Sequence, residues 1–184
     1  NIKNRILDFS SVGFTDMIGA GIVAFFWFYI ASELGPENYG ELTFIISIAS
    51  LASGFALFGS NHTIWIMSAK KIDIEKTIFV LVSITTMISV LIIFIIFLNV
   101  GLVSIIFSYV LLSLVIPGLL GRKFYKTYAK YLITQKILMV TLGISFYYFI
   151  GEYWILVGIA FSYIHMIYPL ITSAKKSKIN FKLI

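Results

Sequence analysis

Long apolar runs alternate with short polar segments along this chain, and the alternation predicts its elements. Apolar residues fill about 9–32, 38–60, 77–98, 101–120, 131–150 and 153–173. Each run is close to the roughly 20 residues a helix needs to cross about 30 Å of hydrocarbon. The pattern predicts an all-α, polytopic membrane protein built as a bundle of six transmembrane helices. Residues 1–173 would form one lobe, and 174–184 a basic cytoplasmic tail or linker.

The polar segments come in two kinds. One kind is basic: Lys3 and Arg5, then Lys70, Lys71 and Lys76, then Arg122, Lys123, Lys126, Lys130 and Lys136, then Lys175, Lys176, Lys178 and Lys182. The other kind holds Glu33, Glu37, Glu41 and Glu152 and no positive charge. Cytoplasmic loops collect Lys and Arg, and short loops follow this bias best. Both termini are therefore expected in the cytoplasm, in a multi-pass protein of the plasma or inner membrane.

The acidic turns are tight. Leu34-Gly35-Pro36-Glu37-Asn38-Tyr39-Gly40 joins the first two runs. Gly35 suits the left-handed position that ends a helix, and Pro36 suits the first turn of the next. Glu37 and Glu41 fall where a helix dipole favours negative charge. Asn99 and Gly101 join the third and fourth runs, and Gly151, Glu152 and Tyr153 the last two. Trp154 follows at the headgroup level, where aromatics collect. The basic connections, 61–76 and 121–136, are longer. In the second, Lys123, Lys126 and Lys130 recur at helical spacing with Tyr125, Tyr128 and Tyr131 between them. This predicts a helix lying in the inner interface before the fifth span. It would either anchor the bundle or dock phosphate headgroups.

Polar stripes along a span mark a packing face or a cavity. Such stripes run through Ser10, Gly13, Asp16 and Ala20, through Ser47, Ser50, Gly54 and Asn61, through Thr134, Thr141, Ser145 and Tyr148, and through Gly158, Ser162, His165, Pro169 and Thr172. Ser104 and Ser108 precede Pro117 and Gly118, where a kink is expected. Asp16 is the one acid well inside a span, and His165 lies at a comparable depth. Either the two pair and relay a proton, or each is satisfied locally. Asn61 closes the second span at the inner mouth. Asn61-His62-Thr63 fits a glycosylation sequon, but it falls on the cytoplasmic side of this topology.

Composition narrows the function. Hydrophobic residues make up 60% of the chain and charged residues 12%, against about 25% charge in a soluble domain. Mean hydropathy is +1.00. The net charge of +6 is accounted for by topology and anionic lipid rather than by nucleic acid. With no Cys, neither a disulfide nor a thiolate metal site is possible. The two His residues show no ligand spacing, and no metal or cofactor is expected. There is no carboxylate pair in a loop, no phosphate-cradling Gly loop and no serine elbow, so an enzyme is not expected. The chain starts at Asn1 without Met and is expected to be part of a longer protein.

The hairpin Leu34-Gly35-Pro36-Glu37-Asn38-Tyr39-Gly40 resembles the signature of polysaccharide-synthesis flippases, the Wzx-like branch of the superfamily that includes MATE exporters. Gly121-Arg122-Lys123-Phe124-Tyr125 resembles a basic-aromatic stretch common after that family's fourth span. The resemblance implies the amino-terminal lobe of a two-lobed transporter, whose partners are membrane lipids, a lipid-linked glycan and a carboxy-terminal lobe. The implied activity is moving a phosphate- or diphosphate-linked oligosaccharide from the inner to the outer leaflet by alternating access. Headgroup contacts would fall to Arg122, Lys123, Lys126 and Tyr125, because no Lys or Arg is expected mid-span. Asp16, Asn61 and His165 would serve the cavity or ion coupling, and Gly35, Pro36, Glu37, Tyr39 and Gly40 the outer hairpin. A cation-coupled multidrug antiporter and a six-span scaffold without transport are the alternatives.

Overall fold

A computed structural model describes residues 2–72 and 74–176, with side chains from Ser10 to Ser173 apart from position 73. The expected tail from 177 onward lies outside the described residues, as do the side chains of Lys3 and Arg5. Among the described residues every regular element is helical: α1 (Ile2–Leu57), α2 (Ser60–Ala69), α3 (Glu75–Phe97), α4 (Val100–Gly121), α5 (Tyr125–Phe149), α6 (Ile155–Phe161) and α7 (Ile167–Lys176). Single 3-10 turns at Glu152–Trp154 and Ile164–Met166 flank α6, so 152–173 forms one jointed rod.

Five helical segments are long and apolar enough to cross a membrane: Ser10–Leu57, Glu75–Phe97, Val100–Gly121, Tyr125–Phe149 and Glu152–Ser173. The first is broken at Gly35, whose φ of 73° and ψ of 173° are not helical. That region of backbone space is essentially reserved for glycine. Trp27 and Tyr39 stack edge-on across the break, with ring centroids 6.2 Å apart. A straight helix would hold them about 18 Å apart along its axis. The arms 10–34 and 36–57 therefore fold back on each other at Gly35.

Left-handed residues end the other helices. Phe58 and Gly59 (φ 44° and 72°) close α1, and Leu98 (φ 48°) closes α3. Asn99 then caps α4, its side-chain oxygen accepting the Leu102 N–H at 2.9 Å.

Helix α4 and the jointed rod lie at the centre, with Leu102, Ile105, Ile106, Ile155 and Met166 almost fully buried. The first arm of α1 packs on α5, where Tyr29 meets Tyr148 at 2.5 Å. The second arm packs on α3, where the Thr85 hydroxyl donates to the Ala56 carbonyl at 2.6 Å. Lipid is as apolar as Leu, so close packing and interhelical hydrogen bonds hold such helices together rather than escape from water. Glycine therefore marks the tightest crossings. A Cβ on Gly158 would sit 2.7 Å from the Leu142 carbonyl oxygen, and one on Gly121 would sit 2.6 Å from that of Trp65.

Two expectations fail here. The second run ends at Leu57, close to the expected 60, but the inner connection is not a plain loop: Gly59 turns the chain and α2 packs on α4 as a separate helix. The basic-aromatic stretch is not a separate interfacial helix either. The turn after α4 is only 122–124, and Lys126, Tyr128, Lys130 and Tyr131 belong to the opening turns of an unbroken α5.

Candidate functional site

Three polar side chains sit along the face where the first arm of α1 packs on α5. Tyr128, 5% exposed, donates its hydroxyl to Asp16 Oδ1. The Lys136 stem lies along Gly19, with Cγ 3.6 Å and Cε 3.9 Å from where a glycine Cβ would be. Side chains of a helix lean toward its amino terminus, so the Lys136 stem runs back along α5 on the side that faces the first arm. A single methyl at position 19 would meet that stem at ordinary van der Waals distance. A larger residue there would occupy the space of the lysine methylenes.

Lys136 corrects the expectation that no cation lies within a span. It sits about 16 Å along α5, near the middle of a membrane-length helix. Counting charges had grouped it with the inner loop. The signal available in sequence was the uncharged stretch Tyr131-Leu132-Ile133-Thr134-Gln135, which separates it from Lys130.

Asp16 itself is exposed, and so are Ser10, Gly13 and Ala20. The first arm turns Thr15, Gly19, Phe26 and Ile30 to the bundle instead. Ser47, Ser50 and Gly54 of the second arm are likewise exposed. These stripes do not pack within the chain. The Ser47 hydroxyl bonds backward along its own helix, to the Thr43 carbonyl at 2.8 Å, as Ser145 of α5 does to Thr141 at 2.7 Å. Such hydroxyls are satisfied by their own helix and need no partner on another. A carboxylate does need one: at the centre of a helix in a bilayer it costs roughly 2.5–3.5 kcal/mol. The stripe on the jointed rod behaves oppositely. Gly158, Ser162 and Pro169 are buried as packing residues. Gln135 of α5, fully buried, donates to the Ser162 hydroxyl at 3.2 Å.

Asp16 and His165 are not brought together. The His165 ring places Nδ1 2.9 Å from the Ser162 carbonyl and Nε2 3.2 Å from the Tyr131 carbonyl. It stacks on the Tyr131 ring, with centroids 5.5 Å apart and planes 12° apart. A neutral imidazole donates through one nitrogen, whereas the protonated ring serves both carbonyls. Either way His165 fastens the 3-10 joint of the rod to α5. Asn61 bonds only locally, accepting the His62 N–H at 2.9 Å.

Arg122 is held by a partner that sequence reasoning missed. Its Nη2 lies 2.8 Å from Glu75 Oε1, and the Glu75 side chain is 3% exposed. The same oxygen accepts the Ser68 hydroxyl at 2.8 Å, and Arg122 Nη1 donates to Ser173 Oγ at 3.3 Å. One guanidinium thus ties the end of α4 to α3 and α7, and Glu75 brings in α2 through Ser68. No local pattern signals this contact, because Glu75 and Arg122 lie on different loops. Lys123 and Lys126 are exposed beside it, and Tyr125 is half-buried. At the opposite end Pro36, Glu37 and Gly40 are exposed, while Gly35 and Tyr39 are half-buried. There Asn38 of the hairpin donates to Glu152 of the turn that follows α5, at 3.1 Å. Among the described residues no cluster of three or more His, Asp or Glu has metal-ligand geometry.

No protein-family model matches the chain, no curated protein matches its sequence, and no solved structure matches its fold. The functional reading therefore rests on the site and on the hairpin resemblance.

Proposed function

We propose that the chain is the amino-terminal lobe of a transporter that flips a phosphate- or diphosphate-linked oligosaccharide lipid to the outer leaflet. In this reading the two arms of α1 each cross the bilayer. They make six spans with the four others, with both termini cytoplasmic in the plasma or inner membrane. The single observation that carries it is an exposed Asp16 bonded to Tyr128, with Lys136 on the same α1–α5 face beside Gly19. A carboxylate exposed at membrane depth needs water or protein across from it, which a cavity between two lobes supplies. Lys136 provides the cation that meets phosphate along the path, and Asp16 holds that cation in place between cycles. Lys123 and Lys126 gather the anionic headgroup at the inner mouth. The lipid tail stays in the bilayer, so only the polar head is moved through the lobe, and no bond is made or broken.

The test is transport of a labelled lipid-linked oligosaccharide by the full native protein in vesicles, with Lys136→Gln beside it. Loss of transport in that variant with unchanged folding supports the reading. Unchanged transport removes Lys136 from the path. Exposure of Asp16 on the first helix favours a second reading, a cation-coupled antiporter of amphipathic cations. That reading predicts drug resistance that vanishes with Asp16→Asn and no glycan movement.

A further inference from the structure

At the basic end of the bundle, a recess of about 240 Å³ opens between the end of α4, the start of α5 and α7. It is separate from the Asp16 group. Arg122, Thr127, Tyr131, Tyr168, Thr172 and Ser173 supply its polar wall. The guanidinium is its one charge. Glu75 and Ser173 fix Arg122 in place, and its side chain is still 26% exposed. Five N–H donors radiate from a guanidinium, so two partners leave donors to spare. The wall is stiff as well as polar. The Tyr131 ring is stacked on His165, which is bonded in turn to the Ser162 and Tyr131 carbonyls.

We propose that this recess seats the phosphate of an anionic glycerophospholipid from the inner leaflet, with Arg122 as its charged ligand and the surrounding hydroxyls as donors. Charge complementarity supports an anion. Glu75 cancels one positive charge, but Lys130 lies one turn from Thr127 on the same face of α5, and Lys123 precedes it. Both are exposed, so the rim of the recess remains cationic. Depth supports a lipid. Arg122 caps a membrane-length helix, and Phe124 and Tyr168 at the opening are 53% and 70% exposed, as suits aromatics at headgroup level. Size supports a small head, since the volume admits a phosphate and a glycerol but no extended glycan. The inference rests on the proposed orientation, with this end in the cytoplasm. It is distinct from the transported substrate.

The experiment uses the full native protein in detergent micelles and native mass spectrometry. The probes are dioctanoyl phosphatidic acid, dioctanoylglycerol as the head-free control, and inorganic phosphate. Arg122→Gln also breaks the contact with Glu75, so Thr127→Trp is the deciding variant: position 127 is exposed, lines the recess and leaves the Glu75 contact alone. The expected result is one retained phosphatidic acid, no retained dioctanoylglycerol, and at least tenfold weaker retention in Thr127→Trp. Equal retention of inorganic phosphate overturns the lipid source while keeping the phosphate seat. Equal retention of the two lipids, or unchanged retention in Thr127→Trp, overturns the proposal. Retention of phosphatidic acid by a protein that moves no lipid-linked glycan would count against the flippase alone. Glycan movement without such retention would count against the seat alone.

Discussion

Arg122, at the end of α4, and Glu75, at the start of α3, meet at 2.8 Å with the carboxylate almost wholly buried. Removing one member of a buried pair strands the other charge, which costs about 3–5 kcal/mol. Arg122→Met should therefore lower stability by about that much, read as the shift in thermal unfolding of the protein in detergent. Replacing both residues, as Glu75→Met with Arg122→Met, should recover most of the loss. A double variant as unstable as the single one would show that the pair does more than neutralise itself.

The glycines divide into two sets. At Gly121 and Gly158 an added Cβ would sit 2.6–2.7 Å from a backbone oxygen of the neighbouring helix, so the helices must part. Gly121→Ala and Gly158→Ala should each cost about 1–3 kcal/mol. Nothing lies within 4 Å at Gly13. Gly13→Ala should leave stability unchanged or raise it, because alanine favours a helix by about 1 kcal/mol over glycine. The same unfolding assay ranks all three.

At the hairpin, Gly35 holds a positive φ with an extended ψ. Gly35→Ala should cost about 1–3 kcal/mol through backbone strain alone, since there is open space around it. Gly40→Ala, a few residues on and equally open, should cost little.

Much of this architecture was legible in the chain. Gly35 and Pro36 announce the hairpin because each residue restricts the backbone in a known way. Asn99 marks the turn between the third and fourth runs, but its bond to the Leu102 N–H emerges only in the structure. The contacts that organise the basic end were not legible. Glu75 and Arg122 each look like loop charges until α2, α3 and α4 are packed together. Lys136 looked like one more inner cation because charge counting ignores where the helix axis runs. Asp16 was legible as an anomaly, an acid within an apolar run, but its partner was not. Tyr128 reads equally well as a belt residue until α5 is seen to start at Tyr125.

Asp16 offers a separation of charge from hydrogen bonding. Asp16→Asn keeps an oxygen to accept the Tyr128 hydroxyl, so folding should be nearly unaffected. Asp16→Leu leaves that hydroxyl, on a residue 5% exposed, without its acceptor, which costs about 1–3 kcal/mol. If both variants unfold alike, the charge rather than the bond to Tyr128 supports the structure.

The proposed orientation can be checked because the chain has no Cys. Single cysteines at Glu37 and Tyr153 should react with an impermeant maleimide added outside intact cells, and cysteines at Lys71 and Lys126 only after permeabilisation. The opposite pattern would invert the proposed orientation and with it the direction of transport.

The most direct measurement is outward movement of a fluorescent lipid-linked oligosaccharide by the full native protein in sealed vesicles, scored by access of an external glycosidase. The account predicts protein-dependent movement that is lost in Lys136→Gln and persists in Gly13→Ala. Vesicles in which the folded protein moves no more glycan than protein-free controls would contradict it.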